Sequence, residues 1–207
     1  VLKEHRRVFC VPEKLKNIKD IYLIRHGQSQ WQVGESTSKD SDITDLGMQQ
    51  SHYLNQHVKH LIQFYPNEYI IYASPQRRAM QTVQGLHKEF FVEKRLKEAP
   101  FHVAKKLPQF QTPHLYERKT SNDANYQVFK NTLKQVLHGI MTQTAHHKVY
   151  LYTHGGVIKT ILRIIHDNDA LCYTIYNCSM TKLTWHRSRW HLESLNDVSF
   201  LPKAFIT

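Results

Sequence analysis

The sequence predicts one α/β domain, a three-layer α/β/α sandwich with a mostly parallel central sheet. Three apolar runs favour this fold class, because runs without alternation are typical of strands buried on both faces. They lie at 21–24, 69–73 and 148–153. Segments with helical spacing of apolar residues follow these runs, as expected of crossover helices. The 207 residues are enough for one sizeable core, so a single domain is the default.

The first part of the chain divides into an extension, a strand, a loop and a helix. Residues 1–19 are charged and predict an N-terminal extension, without the long apolar region of a secretory signal. The domain is then expected over 20–207, with its first strand at 20–25 and a polar loop over 30–43. A helix is expected to begin at Thr44, because threonine is a good N-cap.

Helices are also predicted on both sides of an irregular middle segment. Ser74 and Pro75 indicate a helix start, with serine as the cap and proline at the first helical position. Residues 92–125 contain three prolines between two core elements and predict a cap or lid insertion. Apolar residues at three- and four-residue steps predict helices over 126–140 and 157–165.

The last part of the sequence predicts strands that close the sheet. The segments 174–179, 180–185 and 190–195 are rich in β-branched and aromatic residues. The polar residues 186–189 between the last two predict a hairpin at the sheet edge.

Composition and charge limit the expected partners. With 41% hydrophobic and 22% charged residues the chain is typical of soluble globular proteins, and it has no run of about 18 apolar residues that would span a membrane. The formal net charge of +11 is compatible with nucleic-acid binding. The basic residues are dispersed, however, so nucleic acid is not the expected partner. The charge instead favours an enzyme that attracts anionic substrates.

Cysteine and histidine spacing points to no metal site. The three cysteines, Cys10, Cys172 and Cys178, are odd in number and not closely paired, which predicts a reducing compartment and a cytoplasmic protein. No Cys-x-x-Cys or His-Glu-x-x-His spacing occurs. We therefore expect neither a metal nor another cofactor.

Two predicted strands end in similar polar groups. The first ends in Arg25, His26 and Gly27, and a later one ends in Thr153 and His154 followed by two glycines. The carboxyl ends of parallel strands meet at one edge of a sheet, where ligands bind. Two imidazoles and a guanidinium at that edge suit an anion such as a phosphoryl group.

Four segments resemble, in the expected order, the signature motifs of the histidine phosphatase superfamily, also called the phosphoglycerate mutase-like family. The resemblance spans about residues 20 to 185 and favours the phosphatase branch of the family. The segments are Arg25-His26-Gly27-Gln28-Ser29 with Trp31, Asp42-Ile43-Thr44-Asp45-Leu46-Gly47 with Gln50, Ser74-Pro75-Gln76-Arg77-Arg78-Ala79-Met80-Gln81-Thr82, and Thr153-His154-Gly155-Gly156.

The resemblance implies a phosphoryl-transfer site with one nucleophile and several cationic groups. His26 would attack phosphorus and form a phosphohistidine, while Arg25 and Arg78 hold the phosphoryl oxygens. His154, protonated beside the dianion, would add a further donor. Glu98 follows a leucine by two positions, as the proton donor often does in the family, and would protonate the leaving group.

Some assignments stay open at this point. Arg77 competes with Arg78 for the phosphate, and the other possible proton donors are Glu93, Glu89 and Asp42. Gln32 stands where the family commonly has a phosphate-contacting asparagine. The complete substrate-binding set that the resemblance implies is Arg25, Gln28, Ser29, Gln32, Arg78, His154 and Gly155.

The expected activity is hydrolysis of a phosphomonoester through a phosphohistidine on His26, independent of metal. The partner would be a small phosphorylated substrate or inorganic phosphate, and the oligomeric state stays open. One alternative is a cofactor-dependent mutase of the phosphoglycerate type, which returns the phosphoryl group to a sugar acid. Another is a non-catalytic phosphate-binding regulatory protein on the same scaffold.

Overall fold

A computed structural model of the chain describes residues 18–99, 116–117, 124–169 and 171–207. The strands are β1 (Lys19–Arg25), β2 (Tyr69–Ala73), β3 (Phe91–Val92), β4 (Tyr116–Glu117), β5 (Lys148–Thr153), β6 (Leu171–Cys172), β7 (Met180–His186) and β8 (Arg189–Asp197). The helices are α1 (Gln30–Val33), α2 (Asp45–Ile62), α3 (Arg77–Gln84), α4 (Ala124–Gln143) and α5 (Gly155–His166), with 3₁₀ helices at Lys94–Leu96 and Lys203–Phe205.

Six strands form the central sheet in the order β3-β2-β5-β1-β7-β8. The first four are parallel, and β7 and β8 add an antiparallel edge. Strands β4 and β6 form a separate antiparallel pair. Arg25 is opposite Thr153 in the register of β1 and β5, so His26 and His154 follow at the same edge. The predicted mostly parallel sheet is confirmed.

Helices cover both faces of this sheet, which makes three layers. Ile21 and Leu23 of β1 pack with α4 and α5, whereas Tyr22 and Ile24 pack with α2 and α3. Side chains of a strand alternate between faces, so an unbroken apolar run supplies both cores. The predicted sandwich follows directly from that burial on both sides.

Three predictions of local structure are wrong, and the first is the loop over 30–43, which begins with the short helix α1. Helix α3 begins at Arg77 with Gln76 as the N-cap residue, two positions later than predicted. The hydroxyl of Ser74 bonds to His154 and accepts from the N–H of Gln76 at 3.3 Å, so it lies before the helix and not at its cap. Residues 174–179 form a loop and not a strand. In that loop Cys178 has a positive φ of 54°, which interrupts extended structure before β7.

Parts of two predicted regions lie outside the described residues. Of the predicted extension, residues 1–17 are not described, and Lys19 belongs to β1. Of the predicted cap at 92–125, residues 100–115 and 118–123 are not described. Among the helices in the described ranges, none has the length and apolar character needed to cross a membrane.

Candidate active site

The two histidines meet at the carboxyl edge of β1 and β5. His26 directly follows β1 and His154 directly follows β5, and their ring centroids lie 5.1 Å apart with the planes tilted by 56°. Both rings are removed from solvent, with exposed fractions of 4% and 0%. The parallel register therefore produces a buried imidazole pair from residues 128 positions apart in the sequence.

Hydrogen bonds fix the tautomer of His26. Its Nδ1 lies 2.7 Å from the carbonyl oxygen of Gly27, and since a carbonyl only accepts, Nδ1 carries the proton. Its Nε2 accepts from Nε of Arg78 at 3.1 Å. The carbonyl of His26 itself accepts from the side-chain amide of Asn177 at 2.9 Å. The lone pair on Nε2 is thus directed at a guanidinium.

Burial lowers the pKa of His26 well below its usual 6.5, and the neighbouring His154, Arg78 and Arg25 lower it further. The hydrogen bond to Gly27 opposes these effects without cancelling them. A proton on Nε2 would also displace the bond from Arg78. His26 is consequently a neutral imidazole at pH 7.

Arg78 is held in the site from three directions. It comes from the first turn of α3 and is only 6% exposed. Besides its bond to His26, it donates to the carbonyl of Lys39 at 2.6 Å and to the side chain of Gln76 at 3.4 Å. Arg77, its competitor in the sequence, is 62% exposed and forms a bidentate ion pair with Asp42. Of the two arginines, Arg78 is the one in contact with His26.

Arg25 lies beside the histidines with part of its guanidinium unused. One Nη donates to the carbonyl of Ile175, whereas Nε is buried without a hydrogen-bond partner among the described residues. Burial lowers the pKa of Arg25 to about 10, with the charge of Glu98 acting in the opposite direction. A Cβ on Gly155 would lie 3.6 Å from that Nε, at ordinary van der Waals distance, so this residue packs directly against the guanidinium.

His154 is anchored by a side chain of the neighbouring strand end. Its Nε2 and the hydroxyl of Ser74 share a hydrogen bond of 2.7 Å, and its Nδ1 has no partner among the described residues. Burial, then the charges of Arg78 and Arg25, lower the pKa of His154 well below 6.5. The unliganded ring is therefore neutral, in contrast to the protonated form expected beside a dianion.

Glu98 reaches the same edge from the segment after β3. Its carboxylate accepts from the backbone N–H of Gly156 at 3.1 Å and of Ala99 at 3.0 Å. Its charge raises the pKa values of both Arg25 and Arg78, which indicates that the carboxylate lies near both cations. Helix α5 thus orients this carboxylate through its first turn.

The other possible proton donors have different surroundings. Glu93 caps the 3₁₀ helix and forms a close ion pair with Arg95, which lowers the pKa of its carboxyl group. Asp42 is paired with Arg77, and Glu89 is exposed on the loop before β3. Among these four carboxylates, only Glu98 perturbs the two site arginines.

The loop after His26 carries the remaining predicted substrate-binding residues. Ser29 is buried and donates from its hydroxyl and its backbone N–H to Oε1 of Gln32 at 3.1 Å each. The amide of Gln32 also pairs with the amide of Asn177 at 3.2 Å in both directions. The side chain of Gln28 accepts from the hydroxyl of Thr44 at 2.9 Å. These polar groups bind one another in the unliganded structure.

Helix α2 packs closely against the loop after His26, through two glycines and one glutamine. A Cβ on Gly27 would lie 2.6 Å from the carbonyl oxygen of Gly47, so helix α2 can approach the loop only at glycine. Gln50 of that helix accepts from the N–H of Gln28 at 2.8 Å and donates to the carbonyl of Phe205 at 2.6 Å. The loop is therefore held between α2 and residues near position 205.

Comparison with known proteins agrees with this arrangement. The model of the histidine phosphatase superfamily, branch 1, matches residues 21–198. The chain belongs to the histidine phosphatase superfamily. All four segments that resemble its motifs fall within the matched range.

Relatives of several names share the superfamily fold. A probable phosphoglycerate mutase GpmB of Proteus mirabilis is 22% identical over 87% of this chain and 94% of its own length. A phosphoserine phosphatase from Entamoeba histolytica has 22% identity and a TM-score of 0.67 over 89% of this chain and 100% of that chain. A phosphoglycerate mutase from Bacillus anthracis has 16% identity and a TM-score of 0.66 over 89% and 96%.

Two residues near the histidines have hydrogen-bond partners that the sequence did not predict. Ser74 was expected as a helix cap but is the partner of His154. Gln76 accepts from the backbone N–H of Glu98 at 2.8 Å and from Arg78 at 3.4 Å, so one buried amide links the carboxylate segment to the arginine. Both lie inside a recognised segment, but only the tertiary structure brings their partners within reach.

Proposed function

We propose that the chain is a phosphomonoester hydrolase that works through a phosphohistidine on His26 and needs no metal. The observation that carries the proposal is the state of His26, a buried neutral imidazole whose Nδ1 proton is fixed on Gly27 and whose unprotonated Nε2 accepts a hydrogen bond from Nε of Arg78. Attack on phosphorus requires this tautomer. Membership of the superfamily and its phosphatase-named neighbours support the assignment.

The buried donors that lack partners fit a phosphoryl group. Nε of Arg25 and Nδ1 of His154 have no hydrogen-bond partner among the described residues, and buried polar atoms are rarely left unpaired. If Ser74 donates to Nε2 of His154, the ring proton lies on Nδ1 and is available to a phosphoryl oxygen. Arg78 can transfer its bond from His26 to the substrate. A dianion in this place also favours protonation of His154.

The first step forms the phosphohistidine. Nε2 of His26 attacks phosphorus, the bond from phosphorus to the ester oxygen breaks, and Glu98 gives its proton to the leaving oxygen. The guanidinium groups of Arg25 and Arg78 stabilise the charge on the transferred group, since they match phosphoryl oxygens in planar geometry. The Nδ1 hydrogen bond to Gly27 stabilises the positive charge that develops on the ring.

The second step releases phosphate. The Glu98 carboxylate, held by the N–H groups of Gly156 and Ala99, takes a proton from water. The water oxygen attacks phosphorus, and the bond from phosphorus to Nε2 of His26 breaks. Inorganic phosphate leaves, His26 is neutral again, and Glu98 carries the proton needed for the next cycle.

A labelling experiment tests the proposal. The protein is mixed with phosphorus-32-labelled phosphoserine in the presence of EDTA and quenched without acid. We expect an acid-labile, base-stable label on the protein together with release of phosphate, and neither in His26→Asn. Phosphate release without any protein-bound label, or release that EDTA abolishes, would contradict the mechanism.

The role of Glu98 has a separate test. Glu98→Gln keeps the shape of the side chain and removes the proton transfer. We expect a loss of about 10²-fold in kcat/KM, which reports the first step, with an alkyl phosphate and a clearly smaller loss in kcat/KM with p-nitrophenyl phosphate, whose leaving group needs no proton. Glu93→Gln is the matched control, because Glu93 is paired with Arg95. Equal losses for both substrates would remove Glu98 from the role of proton donor.

A phosphoglycerate mutase is the second candidate, favoured by the names of the relatives from Proteus mirabilis and Bacillus anthracis. Both reactions share the phosphohistidine step and differ in the acceptor. Label that stays on the protein until a phosphoglycerate is added would identify the mutase.

The cytoplasmic location also stays a proposal, and it is consistent with the buried free thiol of Cys178.

A further inference from the structure

A cavity lies at the end of the sheet opposite to the histidines. Its volume is about 630 Å³, within the range of small-molecule sites. It is lined by the first residue of β1, Lys19, whereas the histidine edge follows the last residue, Arg25. Six residue steps along a strand separate the two ends by about 20 Å. This cavity is therefore distinct from the proposed phosphoryl-transfer site.

Strand register builds one wall of the cavity. Lys19, Trp185 and Trp190 are successive partners across β1, β7 and β8. The two indole rings are in contact, with centroids 5.0 Å apart and planes at 61°. Both side chains are only partly buried and line the cavity. They offer an aromatic surface of the kind on which a planar ring stacks.

Helix α4 and the β7–β8 turn also line the cavity. Lys134, His138 and Met141 come from one stripe of α4 at steps of four and three residues, and Arg187 comes from the turn. Lys134, His138 and Arg187 are exposed. The described residues that line the cavity include no aspartate or glutamate. An apolar, aromatic interior with a cationic rim results.

We propose that this cavity binds a planar aromatic anion of the size of a nucleoside monophosphate, with its ring on Trp185 and Trp190 and its phosphate between Lys134 and Arg187. The two ends of such a ligand match the two parts of the cavity, since the ring gains stacking area and the phosphate gains two cations. Residues 1–17 are themselves basic, with five lysines and arginines against two glutamates, so their charge does not complement this rim. This binding site is independent of the proposed hydrolase function.

Intrinsic fluorescence measures this binding in the full chain. Trp31→Phe leaves Trp185 and Trp190 as the only tryptophans. AMP is titrated in the presence of saturating orthovanadate, which occupies a phosphoryl-transfer site and prevents hydrolysis. We expect saturable quenching below millimolar AMP, and at least tenfold weaker responses to adenosine and to inorganic phosphate alone.

Charge reversal at the rim is the decisive variant. The double change Lys134→Glu with Arg187→Glu should weaken AMP binding at least tenfold without changing the melting temperature. Lys88→Glu, on an exposed loop before β3 at the other edge of the sheet, is the matched control and should leave the binding constant unchanged. Absence of quenching, loss of quenching when vanadate is added, or equal weakening by the control would overturn the proposal.

Discussion

The ends of β1 and β5 look alike in the sequence and differ in the structure. Each strand delivers a histidine followed by glycine to the same sheet edge, and both rings are buried and neutral. His26 bonds to its own backbone through Nδ1 and to Arg78 through Nε2. His154 bonds to Ser74 through Nε2 and leaves Nδ1 without a partner in the described ranges.

The group that bonds to each ring therefore decides which ring nitrogen carries the proton. The carbonyl of Gly27 forces the proton onto Nδ1 of His26, which leaves Nε2 as a nucleophile. Ser74, which can donate, permits the proton on Nδ1 of His154, which makes that atom a donor. We therefore propose that equivalent strand ends hold the nucleophile and the oxyanion donor of one reaction.

The largest expected effect follows from removal of the proposed nucleophile, His26. His26→Asn keeps an N–H that can reach Gly27 and should reduce turnover by about 10³-fold or more, because no other group forms the intermediate. Turnover is measured with p-nitrophenyl phosphate, together with the melting temperature. His166→Ala, an exposed histidine at the end of α5, is the control and should keep full activity. A variant that retains a tenth of the activity would refute the asymmetry.

Removal of the other histidine should have a smaller effect. His154→Ala deletes one transition-state donor, for which we expect a loss of about 10²-fold in kcat. Because His26 remains, the protein should still become labelled from phosphorus-32 substrate, only more slowly. Rapid-quench labelling checks this. Complete loss of label in a folded variant would make the two rings equivalent and contradict the division of roles.

Removal of Ser74, the hydrogen-bond partner of His154, should reduce turnover by a smaller factor again. Ser74→Ala deletes the hydroxyl that bonds to His154 at 2.7 Å and accepts from the N–H of Gln76 at 3.3 Å, and we expect about a tenfold loss in kcat with little change in KM. Ser74→Thr keeps the hydroxyl and should recover most of the loss. A role limited to folding would instead lower the melting temperature and leave kcat unchanged, which a thermal melt beside the kinetics reveals.

The smallest expected effect is the change of the free energy of unfolding with pH. The pKa values of both histidines lie well below 6.5 in the folded chain, so only the unfolded chain takes up their protons as the pH falls through about 6.5. The free energy of unfolding should therefore decrease by at most about 1.4 kcal/mol per pH unit for each ring until its folded pKa is reached. Above pH 7 this contribution is absent.

Single variants sharpen this test of equal burial. Either His26→Asn or His154→Ala should reduce the acid slope by the share of one histidine. Urea unfolding at several values between about pH 5 and pH 7 measures the slope. A slope that no histidine variant reduces would mean that the two rings are not the acid-sensitive groups.

Local patterns were enough to predict most of the fold. The apolar runs of β1, β2 and β5 gave a parallel sheet because burial on both faces removes the alternation. Thr44 was correctly predicted as an N-cap and accepts from the N–H of Gly47 at 3.0 Å. In both cases the signal and the structure lie within a few residues of each other.

The sequence was enough to predict that the site residues lie close together, but not which hydrogen bonds they form. The segments around His26, Arg78, His154 and Glu98 could be recognised, and the structure brings them to one edge. The contact of Ser74 with a residue 80 positions away was hidden, since a serine before a proline has the same local pattern as a helix cap. Pairings between strand ends depend on register, which no local pattern contains.

The loop behind His26 also has a consequence for the order of synthesis. The carbonyl of His26 accepts from Asn177, a contact that spans 151 residues. Gln50 of helix α2, which packs on the loop, donates to the carbonyl of Phe205, a contact that spans 155 residues. A ribosome adds about 5 to 20 residues per second, so His26 is made roughly 10 to 30 s before the residues that complete its surroundings. The strands β5 and β7 that neighbour β1 begin only at residues 148 and 180, so β1 has no partner strand beside it for most of that interval. The imidazole therefore acquires its buried, neutral state only after the residues around position 205 have been made.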